Sequence, residues 1–250
     1  MKHNNPTPFY SCSGLASFIR NTFMILFVLS SGLNHSQQEQ ESLPGSWLVV
    51  SGTHKISDRL SIPTVGILRH YTLFNQYEFA FFRTGLTYRV NKKTLATAGI
   101  AYLNAESHLR DIPARTTEQF WIYEEVVFLA QMEKIALSNR IRLETRWIDT
   151  VEGTLLNNRI RYRLQGTYAI NHRIYAKTFN EFFLNLKPPY FNQNRLFVGF
   201  GYRFAKNVQG EIGYLKNQFK TASYDRVRLA LIFKVNFTNP KSDRPKSAHK

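Results

Sequence analysis

Between Ile135 and Ile170 the chain writes one strand pattern twice. In the first run Ile135, Leu137, Ile141, Leu143 and Trp147 share one parity, while Arg140, Arg142, Glu144 and Arg146 take the other. In the second, Ile160, Tyr162, Leu164, Tyr168 and Ile170 alternate with Arg159, Arg161, Arg163 and Gln165. Successive side chains of a strand point to opposite faces, so each run has one apolar face and one densely charged face. A surface strand of a soluble sandwich seldom runs beyond about ten residues, whereas these runs cover 135–148 and 158–170. A tilted strand crosses a bilayer in about 9–11 residues. The pattern predicts an all-β fold, an antiparallel transmembrane β-barrel with an apolar outer wall and a charged lumen.

Composition fits that reading. Charged residues make up 20% of the chain and mean hydropathy is −0.32, which in a barrel follows from half of every strand facing water. Aromatics reach 14%, with 20 Phe and 13 Tyr, as barrel walls and interfacial girdles need. No stretch of about 20 apolar residues exists, which excludes a helical membrane protein. The formal net charge is +16. A basic balance can signal nucleic acid, but here the arginines alternate with lipid-type residues, and no nucleic-acid-binding motif accompanies them.

The N-terminus predicts export. Lys2 and Arg20 precede the apolar run Phe23–Leu29, which fades through Ser30, Ser31 and Gly32 into polar Gln37–Ser42. This is the pattern of a signal peptide over 1–36, followed by a short segment 37–45, the barrel over 46–237 and a basic, disordered tail over 238–250. The lone cysteine, Cys12, lies upstream of the apolar run, so the mature chain is expected to hold no thiol or disulfide.

Strands are expected near 46–55, 60–73, 77–90, 94–104, 118–130, 135–148, 158–170, 174–186, 194–205, 208–217 and 225–237. Tight turns at 91–93, 131–134, 171–173 and 206–207 alternate with longer loops at 105–117, 149–157, 187–193 and 218–224. Short turns on one side and long loops on the other are the periplasmic and extracellular sides of an outer-membrane barrel. Eleven segments would leave the chain ends on opposite sides, and bacterial single-chain barrels have even strand numbers. The sequence therefore favours about 12 strands, with 10 as the alternative. Outward aromatics Tyr88, Tyr168, Phe204 and Phe237 fall at the tight-turn end, as a girdle would.

The closing strand alternates Val227, Leu229, Leu231, Phe233, Val235 and Phe237 with Arg226, Arg228, Lys234 and Asn236. A last strand ending in Phe resembles the signal read by the outer-membrane assembly machinery, although thirteen residues follow Phe237 here. Together with Arg83–Tyr88, Asn139–Arg146, Arg159–Arg163, Tyr175–Phe183, Phe191–Tyr202 and Glu211–Tyr214, the chain from Trp47 to Phe237 resembles an uncharacterised family of bacterial outer-membrane β-barrel proteins, catalogued as a domain of unknown function. The resemblance implies the cell outer membrane, with its lipids and assembly machinery as partners, and supplies no activity, because none is assigned to the family.

Strand parity gathers one candidate network in the lumen: Arg140, Arg142, Glu144, Arg146, Arg159, Arg161, Arg163, Glu181, Arg195 and Glu211, with Glu124 or Glu125 as a further carboxylate. Guanidiniums at this density in a narrow lumen cost several kcal/mol each unless water or carboxylates answer them. Two readings stay open at this stage. One is a ladder of salt bridges filling a small barrel; the other is a basic vestibule that attracts anionic solutes or lipopolysaccharide phosphates. The leading function is a structural membrane protein or passive channel. The alternatives are an outer-membrane lipid-modifying enzyme and a soluble secreted β-protein that binds acidic polymers. For the enzyme, His70, His108 and Ser107 lie toward the long-loop end, but neighbours in an extended chain point apart and no nucleophile elbow is present. No spacing of His or Cys suggests a metal, and no cofactor is implied.

Overall fold

The structure, a computed structural model, describes residues 44–107 and 115–238. The expected signal peptide over 1–36, most of 37–45, His108 and the expected tail beyond Thr238 lie outside the described residues. The strands are β1 (Gly45–Lys55), β2 (Leu60–Thr72), β3 (Asn75–Arg89), β4 (Thr94–Ser107), β5 (Arg115–Met132), β6 (Ile135–Thr150), β7 (Gly153–Ala169), β8 (Ile174–Asn185), β9 (Phe191–Ala205), β10 (Val208–Gln218) and β11 (Ser223–Asn236). Each pairs with its sequence neighbour, and β1 pairs with β11, closing the sheet into a barrel. Closure leaves no sheet edge exposed.

The expected count of about twelve, with ten as the alternative, resolves to eleven. An odd number closes because the last seam is parallel: Gly45 lies opposite Arg226 and Lys55 opposite Asn236, while the other seams are antiparallel. The chain therefore enters the barrel at one end and leaves it at the other.

Connections 56–59, 90–93, 133–134, 170–173 and 206–207 lie at one end, called here the tight-turn end. The three longest share one construction. Ser57 Oγ accepts the N–H groups of Arg59 and Leu60, Asn91 Oδ1 that of Lys93, and Asn171 Oδ1 those of Arg173 and Ile174. A short polar side chain that satisfies backbone donors two and three residues on is what makes Ser and Asn turn formers. At the opposite end the expected loop 149–157 is corrected. β6 and β7 continue through it to a two-residue turn at Val151-Glu152, with Gly153 at φ 122°. Ladder pairing carries the strands past their apolar stretch, so the two ends differ less in loop length than the sequence predicts.

Alternation holds around the wall. Leu143 is 46% and Leu231 45% exposed on the outside, whereas Arg142 is 2% and Arg226 0% exposed within. Trp47, Val49, Phe179, Phe197, Leu215 and Ala230 form an apolar cluster inside one half, and Ala101, Leu103 and Trp121 a smaller one. The outer wall is apolar, and Tyr88, Tyr168, Phe204 and Phe237 stand exposed on it at the tight-turn end.

Candidate functional site

Register places Arg140 opposite Arg163, Arg142 opposite Arg161 and Glu144 opposite Arg159 across β6 and β7. Like charges directly opposite destabilise a sheet, and here carboxylates from the same and flanking strands answer them. Arg161 is clamped between two: Nη1 donates to Glu144 Oε1 at 2.6 Å, while Nη2 and Nε donate to Glu181 Oε1 at 2.8 and 3.1 Å. Arg159 donates through Nε and Nη2 to Glu144 Oε2 at 2.9 and 2.6 Å. Arg140 pairs with Glu181 from β8 and lies 3.8 Å from Glu125. Arg142 donates twice to Glu125 Oε2, at 2.8 and 2.5 Å. Arg195 on β9 stands 3.8 Å from Glu181 and donates to Asn217 Oδ1 at 2.9 Å. The side chains of Glu144 and Glu181 are 0% and 2% exposed.

Glu211, expected in the same network, organises a separate one. It accepts from Lys177 at 2.7 Å, Arg228 at 2.8 Å and the Tyr175 hydroxyl at 3.0 Å. A third group was not legible beforehand. Glu78 pairs with Arg69 and accepts from Arg226 at 3.1 Å. Parity would send Glu78 outward with Ala80 and Phe82. The register shift between Arg69 and His70, opposite Phe79 and Tyr77, turns it inside.

Aromatic rings floor these ion pairs. The Arg161 and Arg195 guanidiniums lie 4.2 and 4.8 Å from the Phe183 ring centre, and Arg195 lies 4.5 Å from Trp47 across the interior. Several rings lie flat on the wall because glycines leave room. A Cβ on Gly201 would fall inside the Tyr175 ring, and one on Gly199 or Gly213 would meet Phe197.

Supply of carboxylate runs short. Glu78, Glu125, Glu144, Glu181 and Glu211 face more than twice as many interior cations. Among the described residues Arg146 and Arg163 have no carboxylate within ion-pair distance; Arg146 donates to Asn157 at 2.5 Å, and Arg163 lies over Phe179. The arrangement can pack an interior and attract anions.

Two features on the outer wall complete the picture. The Ser46 hydroxyl meets His70 Nδ1 at 3.0 Å and accepts the Phe74 N–H at 3.2 Å. Ser46 is 1% exposed, so this pair ties β1 to the turn at Phe74, where φ is 57°. Glu124 sits exposed among Leu86, Val126, Phe128, Ile141 and Leu143. In the turns, the Lys55 hydrogen bond and charge, 2.9 Å away, hold the Asp58 carboxyl below its ordinary range.

A family model described as "Protein of unknown function (DUF2490)" matches residues 44–228. No curated protein and no solved structure matches the chain.

Proposed function

The chain belongs to the family described as Protein of unknown function (DUF2490), and from that premise we propose that it is an outer-membrane β-barrel with a structural role, its lumen closed by arginine–carboxylate packing. The observation that carries this reading is Arg161, buried between Glu144 and Glu181 on the Phe183 ring. A closed sheet with an apolar outside suits a lipid solvent, because ladder pairing around the whole wall leaves no open edge of backbone donors and acceptors. An interior in which Glu144, Glu181 and Glu211 are at most 2% exposed suits a plug better than a water-filled passage. The closing strand, with Phe237 just beyond it, suits recognition by the outer-membrane assembly machinery. The buried, already bonded Ser46 hydroxyl argues for a non-enzymatic barrel over a lipid hydrolase.

A second reading, a passive channel for anionic solutes, draws on the cation excess around Arg146 and Arg163. Planar-bilayer recording separates the two. The wild-type protein is expected to give no sustained conductance, and Glu181→Gln to lose stability without opening. A steady anion current from the wild type, with Glu181→Gln as stable as its parent, overturns the structural reading. Failure to partition into detergent from membrane fractions favours a soluble secreted protein.

A further inference from the structure

At the tight-turn end one unit recurs five times around the barrel. The residue just before each of β2, β4, β6, β8 and β10 is Arg59, Lys93, Lys134, Arg173 and Asn207. Its carbonyl accepts the backbone N–H of Arg89, Leu129, Ala169, Arg203 or Lys234, at 2.8–2.9 Å in every case. The five positions are therefore equivalent in the backbone, and four of them carry a cation.

The next residue in each case opens the strand and pairs, on the outer face, with an aromatic: Leu60 with Tyr88, Thr94 with Phe128, Ile135 with Tyr168, Ile174 with Tyr202 and Val208 with Phe233. Cation and ring meet directly in two of the units. Arg59 Nη1 donates to the Tyr88 hydroxyl and Arg173 Nη1 to the Tyr202 hydroxyl, each at 3.1 Å. Those bonds hold the guanidiniums against the outer rim and, among the described residues, leave most of their donors free. The acids in these connections are Asp58, already taken by Lys55, and Glu133.

We propose that this collar is a binding surface for the phosphates of anionic phospholipids in the leaflet at the tight-turn end. The inference rests on the membrane reading above. Rings at a bilayer interface sit at headgroup depth, and the cation one residue beyond four of the five rings lies where headgroup phosphates are. A surface cation near an anionic leaflet is attracted within a Debye length. Four cation–ring pairs in five equivalent units, against a single acid without an ion-pair partner among the described residues of the same turns, distinguish the collar from an ordinary solvated rim.

The test is the folding equilibrium of the full chain in vesicles, read by urea titration. Two compositions are compared, phosphatidylcholine alone and phosphatidylcholine with about one third phosphatidylglycerol, at low salt and near 0.5 M salt. The wild type is expected to gain roughly tenfold or more in folding constant from the anionic lipid at low salt, and to lose most of that gain at high salt. The variant Arg59→Gln, Lys93→Gln, Lys134→Gln, Arg173→Gln should fold in phosphatidylcholine and show little gain. A control, Lys187→Gln with Lys220→Gln at the opposite end, should keep it. An equal gain in the collar variant, or none in the wild type, overturns the collar and leaves the barrel reading standing. A gain from lipopolysaccharide vesicles without one from phosphatidylglycerol overturns the assignment to phospholipid. A wild type that folds in neither vesicle overturns both.

Discussion

Glu124 and Glu125 are neighbours on β5 with opposite surroundings: Glu125 is bonded twice by Arg142 inside the barrel, while Glu124 lies on the apolar outer wall beside Leu143, with no cation within ion-pair distance among the described residues. Their substitutions should act with opposite sign. Glu125→Gln leaves Arg142 and Arg140 short of a carboxylate and should cost about 3–5 kcal/mol. Glu124→Leu removes a charge from a lipid-type surface and should leave stability in vesicles unchanged or raised. Urea unfolding in neutral vesicles measures both, and a larger loss from Glu124→Leu would mean that the wall faces something other than lipid.

Leu143, 46% exposed at the middle of β6, tests the same wall from the apolar side. Leu143→Arg should cost roughly 2–4 kcal/mol in vesicles, as arginine does at a lipid-facing midplane position. Val151, 79% exposed at the tip of the β6–β7 hairpin, should accept arginine with no measurable loss. Equal folded yields for the two variants would contradict the facing assigned to β6.

Interior arginines divide by whether a carboxylate answers them. Arg161→Met removes the guanidinium that Glu144 and Glu181 share, leaving Glu144 to Arg159 and Glu181 to Arg140, and should destabilise by up to about 3–5 kcal/mol. Arg146→Met removes a buried cation that bonds only an amide, with its Nε unbonded, and should be neutral or stabilising. Thermal or urea denaturation of the two variants in one detergent decides the matter, and comparable losses would mean that Arg146 is answered as fully as Arg161.

The Gly201–Tyr175 contact predicts a coupled pair. Gly201→Ala drives a methyl into the Tyr175 ring and should cost about 1–3 kcal/mol. In a Tyr175→Leu background the same substitution should cost much less, giving a coupling energy measurable by a double-mutant cycle. Additive losses would show that the ring does not rest on that glycine.

Much of this was legible in the sequence because the side-chain period of a strand is two. The outward Leu143, Leu164 and Leu229 and the inward Arg142, Arg161 and Arg228 follow from parity alone, as does the gathering of Arg140, Arg159 and Glu144. Glu78 was hidden because one extra residue at a bulge reverses parity, and a bulge is visible only against its partner strand. Trp47 beneath Arg195 joins β1 to β9 across the interior, a contact that no local pattern records. The continuation of β6 and β7 through 149–157 escaped because backbone pairing holds it, with no apolar face to announce it.

The parallel seam also settles how this chain could be recut. In a barrel of antiparallel seams alone, the first and last strands finish side by side at one rim, and a few residues can splice them so that new ends open elsewhere. Here Gly45 and Asn236 sit at opposite rims, separated by the eleven-residue length of β1, roughly 35 Å of extended backbone. A splice would have to run the whole height of the wall, outside along its apolar face or inside through the packed arginines. Circular permutation by a short linker is therefore closed to this fold, and its order of strands is fixed by geometry.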